Sequence, residues 1–481
     1  EPDMTAATPP ADAAKQKFPA TFWTANTIEL FERAAYYAMA SFMVIFLKET
    51  LGFKPTLATF LNGTLLWGLI YFLPILSGTL ADKFGYKRSL SVAFVIISLG
   101  YFLLAGTVRL APLLSGGRGS LLPTYLLMAV TGIILIGVGG SIVKPCIGGT
   151  VQKTAGQRAT LAFGIFYMVI NIGSVTGRII AYFVRRGGFS LKGLFELRLE
   201  TIFGVAGIPK IFVVSTAFAL LGLLVTLVLF REPQYEGDGR SDGRTAPKRT
   251  LKQALLGIFT VLGNVRFVFF ILVIAMFWFL YIQLYNLMPL FLRHIDPNAP
   301  VELYTLANPV MIVLLQMVIT RLVKRWTPVQ SIMIGAGVVT VGMLVNVIPP
   351  LITSDIYRQV HVGSFVLPLA GLFLLISIAS MALGEMMASP RILEYIGAIA
   401  PRGQEGLYLG YANLPIALAS IVGGPVGGRM FEHFISDRVD QGLPPQTIPI
   451  WLIIGGIGLA AMILLYVYDR IVLRPAKERT S

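Results

Sequence analysis

The stretch LPTYLLMAVTGIILIGVGGSIV, Leu122 to Val143, runs for 22 residues without a charged side chain. As a helix rising 1.5 Å per residue, such a run crosses a hydrocarbon core of about 30 Å. Comparable apolar blocks fill the chain, at roughly 22–48, 56–81, 88–110, 122–147, 160–184, 204–230, 265–292, 303–324, 329–350, 364–398, 404–428 and 447–473. Of the 481 residues, 55% are hydrophobic and only 13% charged, about half the charge density of a soluble domain. The fold class expected is an all-α polytopic membrane protein with 12 transmembrane helices. The blocks are continuously apolar rather than alternating, which excludes an outer-membrane barrel.

A polar stretch, Glu232 to Thr250, divides the spans six and six. The organisation expected is a polar tail over 1–21, a six-helix bundle over 22–230, a cytoplasmic linker over 231–264, a second six-helix bundle over 265–473 and a tail over 474–481. The net charge of +15 comes from short loops between apolar blocks, so it reads as a topology signal and not as a nucleic-acid surface. With the N-terminus inside, inner segments hold 22 of the 39 Lys and Arg and outer loops hold 13. Both termini are therefore expected in the cytoplasm of a cell-membrane protein. Arg185, Arg186, Lys192, Arg198 and Lys210 weaken that bias from one outer loop without reversing it. The N-terminal segment lacks the apolar core of a cleavable signal, so the first span is expected to serve as its own insertion signal. The single cysteine, Cys146, offers no internal disulfide and is expected to be packing.

Ionisable residues inside the spans carry the functional reading, because charge in hydrocarbon is costly unless paired or hydrated. Glu29, Glu32 and Arg33 lie three and four residues apart on one face of the first span. Two carboxylates beside one guanidinium cannot both be neutralised by it, which makes one a candidate proton carrier. The alternative for Glu29 is a helix start snorkelling to the interface. Lys144 follows Gly137, Gly139 and Gly140 and precedes Pro145, a composition that permits close packing and a local break. It either faces a cavity or marks the inner end of its span. Asn171, Ser174 and Arg178 share a face of the fifth span, where Arg178 either lines a cavity or snorkels outward. Asn308 precedes Pro309, and Glu385 sits one turn before Ser389-Pro390, both at weakened helix. Arg391 and Glu394 are spaced to pair with each other. His294, His361 and His433 have no metal-binding spacing, and no nucleophile motif stands out. No cofactor or metal is expected, and an enzyme is the reading least supported.

The loop Gly78-Thr-Leu-Ala-Asp82-Lys-Phe-Gly85-Tyr-Lys87-Arg88 resembles the signature Gly-x-x-x-Asp-x-x-Gly-x-Arg/Lys-Arg/Lys of major facilitator transporters. Its glycines permit a sharp turn, and Asp82 is placed to cap or pair near a helix end. The corresponding segment of the second half, Thr320 to Pro328, keeps basic charge but not the motif.

Glu29-x-x-Glu32-Arg33 followed by Tyr36-Tyr37 resembles the first-helix signature of the proton-dependent oligopeptide transporter family. Gly-x-x-x-x-Lys144-Pro145, Phe166-Tyr167-Met-x-Ile-Asn171-Ile-Gly173-Ser174, and Gly384-Glu385-x-x-x-Ser389-Pro390 with Ala400-Pro401 resemble its fourth-, fifth- and tenth-helix motifs. The resemblance implies a major facilitator fold of two six-helix bundles, with Glu29, Glu32, Arg33 and Lys144 as the proton-coupling network. It further implies that Asn171, Asn308 and Glu385 contact the substrate's amino terminus, that Lys144 meets its carboxylate, and that Tyr36 and Tyr37 line the pocket. Two positions depart from the pattern: Ala40 stands where the family usually has a second arginine, and Phe277 to Asn286 lacks the usual seventh-helix acid. Arg178 is the candidate to replace part of that positive charge, and Lys144 is expected to pair with Glu29 or Glu32. The function expected is proton-coupled symport of di- and tripeptides or related small zwitterions by a monomer in the lipid bilayer. The alternative is a divergent carrier of a non-peptide organic anion, or a drug exporter.

Overall fold

The computed structural model describes residues 17–233 and 257–470, apart from 117–118, 192–194, 199, 258, 260, 364, 401–407 and 409. Most of the expected linker, both chain ends and Pro401 lie outside the described residues, as does the side chain of Asp82. Among the described residues eleven helices are long and apolar enough to cross a membrane, and a bent pair supplies a twelfth. In hydrocarbon every backbone amide and carbonyl must be satisfied within its own segment, so apolar runs of this length form helices. In chain order they are α1 (Ala20–Ala40 with Met43–Thr50), α2 (Pro55–Thr79), α3 (Tyr86–Leu114), α4 (Leu122–Thr154), α5 (Leu161–Arg185) and α6 (Lys210–Val228). The second set is α7 (Val265–Ile295), α8 (Val301–Val323), α9 (Pro328–Ile352), α10 (Leu369–Ile399), α11 (Leu414–Asp440) and α12 (Ile448–Tyr468). The two pieces of α1 meet at 41°, where the amide of Phe42 bonds the carbonyl of Met39, three residues back instead of four.

Several spans differ from the sequence reading; the fourth runs on to Thr154 where 147 is expected. The expected start of the sixth span, 204, falls in a short strand pair, Thr201–Ile202 with Val205–Ala206, and α6 begins only at Lys210. The expected start of the tenth falls beside the strand Phe365–Pro368. The eleventh is displaced, ending at Asp440 and not 428, because its last turns carry Glu432, His433 and Asp437 and so read as loop. Glu432 is only 6% exposed, and that burial lets the helix continue.

Packing reveals a repeat. In the first set α1 packs on α5 and α6, α3 on α4 and α6, and α2 on α4; in the second, α7 packs on α11 and α12, α9 on α10 and α12, and α8 on α10. Each pairing recurs six helices later, as two copies of one bundle require. Between bundles the close pairs are α1 with α7, α2 with α11 and α5 with α8. The polar contacts between bundles gather at the end of the molecule carrying the α1–α2 turn. There Arg293 grips Glu49 at 2.6 Å, Arg185 meets Glu302 at 3.0 Å, and the Thr56 hydroxyl donates to Glu432 at 2.5 Å. Asn62 donates to the carbonyl of Tyr285 at 3.0 Å and to Asn286 Oδ1 at 3.1 Å. At the α2–α11 crossing the backbones touch, since a Cβ added to Gly63 would lie 2.7 Å from the Cα of Gly424. This end of the molecule is closed.

The glycine turn expected between α2 and α3 is present. Gly85 has φ +89, a conformation costly for any residue with a Cβ. The amides of Tyr86 and Lys87 at the start of α3 donate to Glu232 at 3.1 and 2.8 Å, so a carboxylate from beyond α6 caps this helix.

Candidate functional site

On α1 the four-residue spacing brings Glu29 and Arg33 together as an ion pair, with Arg33 Nε 3.2 Å from Glu29 Oε1. Arg33 also grips Glu32 through two short contacts. The three residues are 1%, 5% and 5% exposed, so Glu29 does not snorkel to the interface. The guanidinium sits 5.4 Å over the ring of Tyr36. Glu29 Oε2 and the Tyr36 hydroxyl have no hydrogen-bond partner among the described residues. One oxygen of the buried acid pair therefore remains open to a proton or a water.

Lys144 on α4 does not make the expected ion pair with Glu29 or Glu32. Its ammonium lies 4.2 Å over the ring of Tyr71 on α2, while the charges of Arg33, Glu32 and Glu29 all reach it. The physical reason is competition: Arg33 is already in contact with both carboxylates, and its planar fork holds them better than an ammonium can. Lys144 is half-buried, leaving donors for another partner.

Asn171, Ser174 and Arg178 follow one face of α5 as expected. Arg178 is 1% exposed, so it does not snorkel. It donates to Ser174 Oγ and to the Ser174 carbonyl at 3.3 Å. Across the bundle interface it reaches Thr305 Oγ1 on α8 at 3.2 Å and the Tyr285 hydroxyl on α7 at 2.9 Å. Its face stacks 4.6 Å from Tyr37. All these partners are neutral, and among the described residues it has no carboxylate. Asn171 donates to the Tyr167 carbonyl of its own helix at 2.9 Å.

In the second bundle, Asn308 Nδ2 donates to Glu385 Oε2 at 3.1 Å, joining α8 to α10. The Tyr281 hydroxyl adjoins the same carboxylate. Glu385 is half-buried, as is Tyr37. Arg391 pairs with Glu394 at 2.6 Å and donates to the Val323 carbonyl, the structural pairing their spacing suggested. Gln283, in the segment without an acid, donates to carbonyls of Phe279 and Gly423. Among the described residues no group of three or more His, Cys, Asp or Glu is arranged to hold a metal ion.

The candidate residues thus form a basic and acidic cluster on α1 and α4, a carboxylate with its amide on α10 and α8, and a buried cation where the bundles meet. The sequence reading missed Tyr71, Tyr281, Tyr285 and Thr305, whose only sequence signal is a polar atom inside an apolar span. It also missed the Arg185–Glu302 pair, because a span beginning at 303 leaves Glu302 in a loop; the structure starts α8 at Val301 and buries Glu302 completely.

Comparisons with known proteins bear on this arrangement. The sequence model of the Major Facilitator Superfamily matches residues 28–367. The dipeptide and tripeptide permease B of Edwardsiella piscicida is 24% identical over 502 aligned residues, covering 93% of each chain. Solute carrier family 15 member 1 of Oryctolagus cuniculus is 27% identical over 164 residues, which take in 33% of this chain and 23% of that protein. Among solved structures, one from a study of substrate recognition in proton dependent oligopeptide transporters superposes with a TM-score of 0.68 at 21% identity, over 96% of this chain and 99% of the other. With a family match over most of its length and this architecture, the chain belongs to the Major Facilitator Superfamily, its likeness running to the superfamily's peptide transporters.

Proposed function

We propose that the protein imports di- and tripeptides, or closely related small zwitterions, together with protons, by alternating access between its two bundles. The observation that carries the proposal is the division of charge. Lys144, the cation with free donors, is on the first bundle; Glu385, partnered by Asn308, is on the second. A zwitterion meets both with opposite ends, its carboxylate at Lys144 and its ammonium at Glu385. Substrate then links the bundles, which is what a change in their relative orientation needs. Asn171 and the rings of Tyr36 and Tyr37 complete the pocket wall.

Proton coupling is assigned to Glu29, Glu32, Arg33 and Lys144. Glu29 Oε2 has no hydrogen-bond partner among the described residues, so it is the atom best placed to accept a proton. Once Glu29 is neutral, Arg33 serves Glu32 alone, and the negative charge competing with the substrate carboxylate for Lys144 is reduced. Arg178 is the nearest replacement for the positive charge missing at Ala40. Held among the described residues by neutral groups from α1, α5, α7 and α8, it can meet an anionic group arriving at the bundle interface.

The closed end is assigned to the outside of a cell membrane, with both termini in the cytoplasm, in line with the excess of Lys and Arg in inner segments. The protein acts as a monomer, with protons as coupling ion and no further cofactor. A non-peptide organic anion is the second reading, favoured by Ala40 and by the absence of an acid in Phe277 to Asn286. Uptake of labelled dialanine into proteoliposomes under an imposed pH gradient separates the two. Peptide uptake supports the first reading; no peptide uptake, with gradient-driven uptake of a monocarboxylate, rejects it.

A further inference from the structure

At the closed end a cavity of about 380 Å³ opens between the start of α2 and the last turns of α11. It lies outside the site described above. Lys54 and Arg429 stand at its mouth, with side chains 83% and 68% exposed. Glu432 lies between them, and its carboxylate is already engaged. It accepts from the Thr56 hydroxyl at 2.5 Å and the Thr56 amide at 3.3 Å, the N-terminal amide end of α2, where a negative charge is stabilised by the helix dipole. The two cations approach it only to 4.0 and 3.7 Å, beyond hydrogen-bond range. Neither head group has a hydrogen bond among the described residues, and the trio keeps one net positive charge.

Below the mouth the walls turn apolar. Leu57 and Phe60 line the cavity from α2 and Pro425 from α11, and Phe60 is 42% exposed. One turn deeper, Thr64 donates to the Ile421 carbonyl at 2.9 Å, so the walls meet there and Ile421, 43% exposed, extends the apolar surface toward the bilayer centre. A cationic mouth above an apolar groove, at the end of two membrane helices, has the polarity of a phospholipid.

We propose that this groove binds an anionic phospholipid, its phosphate between Lys54 and Arg429 and an acyl chain against Leu57, Phe60 and Pro425. Lys54 belongs to the first bundle and Arg429 to the second, so the bound phosphate clamps the two together and holds this end closed. The proposal is independent of which substrate the protein carries.

The test is native mass spectrometry of the full-length protein with phosphatidylglycerol or phosphatidylcholine added. Phosphatidylglycerol is expected to be retained in preference. K54A/R429A should weaken it about 30-fold, the effect of losing two basic side chains at an anionic membrane surface, while K54R/R429K should bind as the parent does. Leu57→Trp fills the groove and spares both cations, so it should also lose the lipid. Equal retention of the two lipids, or full binding by K54A/R429A, overturns the proposal. Full binding by Leu57→Trp reduces the site to surface charge attraction, and displacement by millimolar inorganic phosphate makes it a free-anion site; either result also overturns it.

Discussion

Arg185→Ala should open the closed end. Glu302, at the head of α8, is fully buried, and its Oε1 accepts from Arg185 Nε on α5 at 3.0 Å. Among the described residues Glu302 Oε2 and Arg185 Nη2 have no hydrogen-bond partner, so the pair is joined at one point and not as a bidentate fork. Removing one member of a buried pair typically costs about 3–5 kcal/mol, because the other charge is stranded. The single contact and the 19% exposure of the Arg185 side chain reduce that to about 2 kcal/mol. When α5 and α8 separate, Glu302 meets water and the cost disappears. The substitution therefore favours the separated form by about 30-fold, taking an equilibrium of roughly 99:1 in favour of closure to about 3:1. Pulsed electron–electron resonance reads this directly, with spin labels at Leu114 and Val439, both exposed, in a Cys146→Ser background. The variant should show a new long-distance population. An unchanged distance distribution, in a variant that keeps its thermal transition, would refute the reasoning. Glu302→Gln should shift the distribution less, since it strands a partly hydrated arginine and not a fully buried acid.

Three further outcomes follow from the same geometry. Lys144→Ala should abolish gradient-driven uptake, and proton-driven accumulation at the parent rate would show that Arg33 and its two acids couple without it. Arg178→Ala should raise the KM for dialanine by roughly tenfold, the loss of one hydrogen bond to a charged group; an unchanged KM removes Arg178 from the pocket. Gly424→Val places a side chain against Gly63 and the Thr59 carbonyl, overpacking the α2–α11 crossing by about 1–3 kcal/mol. It should lower the thermal transition or widen the closed-end distance, and a variant indistinguishable from the parent in both measurements contradicts the close crossing.

Helices and membrane class are legible in the sequence because hydrocarbon leaves the backbone no other choice. Glu29, Glu32 and Arg33 are equally legible, since helical spacing alone places them together. Legibility fails where partners come from another helix. The neutral setting of Arg178 depends on Thr305 and Tyr285, 127 and 107 residues away, and neither has a periodicity that would single it out. The setting of Lys144 is not legible for a related reason. Charge complementarity is visible in sequence, but the competition between one guanidinium and one ammonium for the same carboxylates is settled by distance. The last turns of α11 escaped because charge in a sequence signals a loop, whereas Glu432 is drawn into the helix by the start of α2.

The central claim is that peptide and proton cross together. Proteoliposomes loaded with a pH-sensitive dye, at equal starting pH and with the membrane potential clamped by potassium and valinomycin, test it in one measurement. Adding dialanine outside should acidify the lumen, and Glu29→Gln/Glu32→Gln should abolish the acidification. Dialanine entry without any change in lumenal pH, at a rate unaffected by that double substitution, would contradict the account.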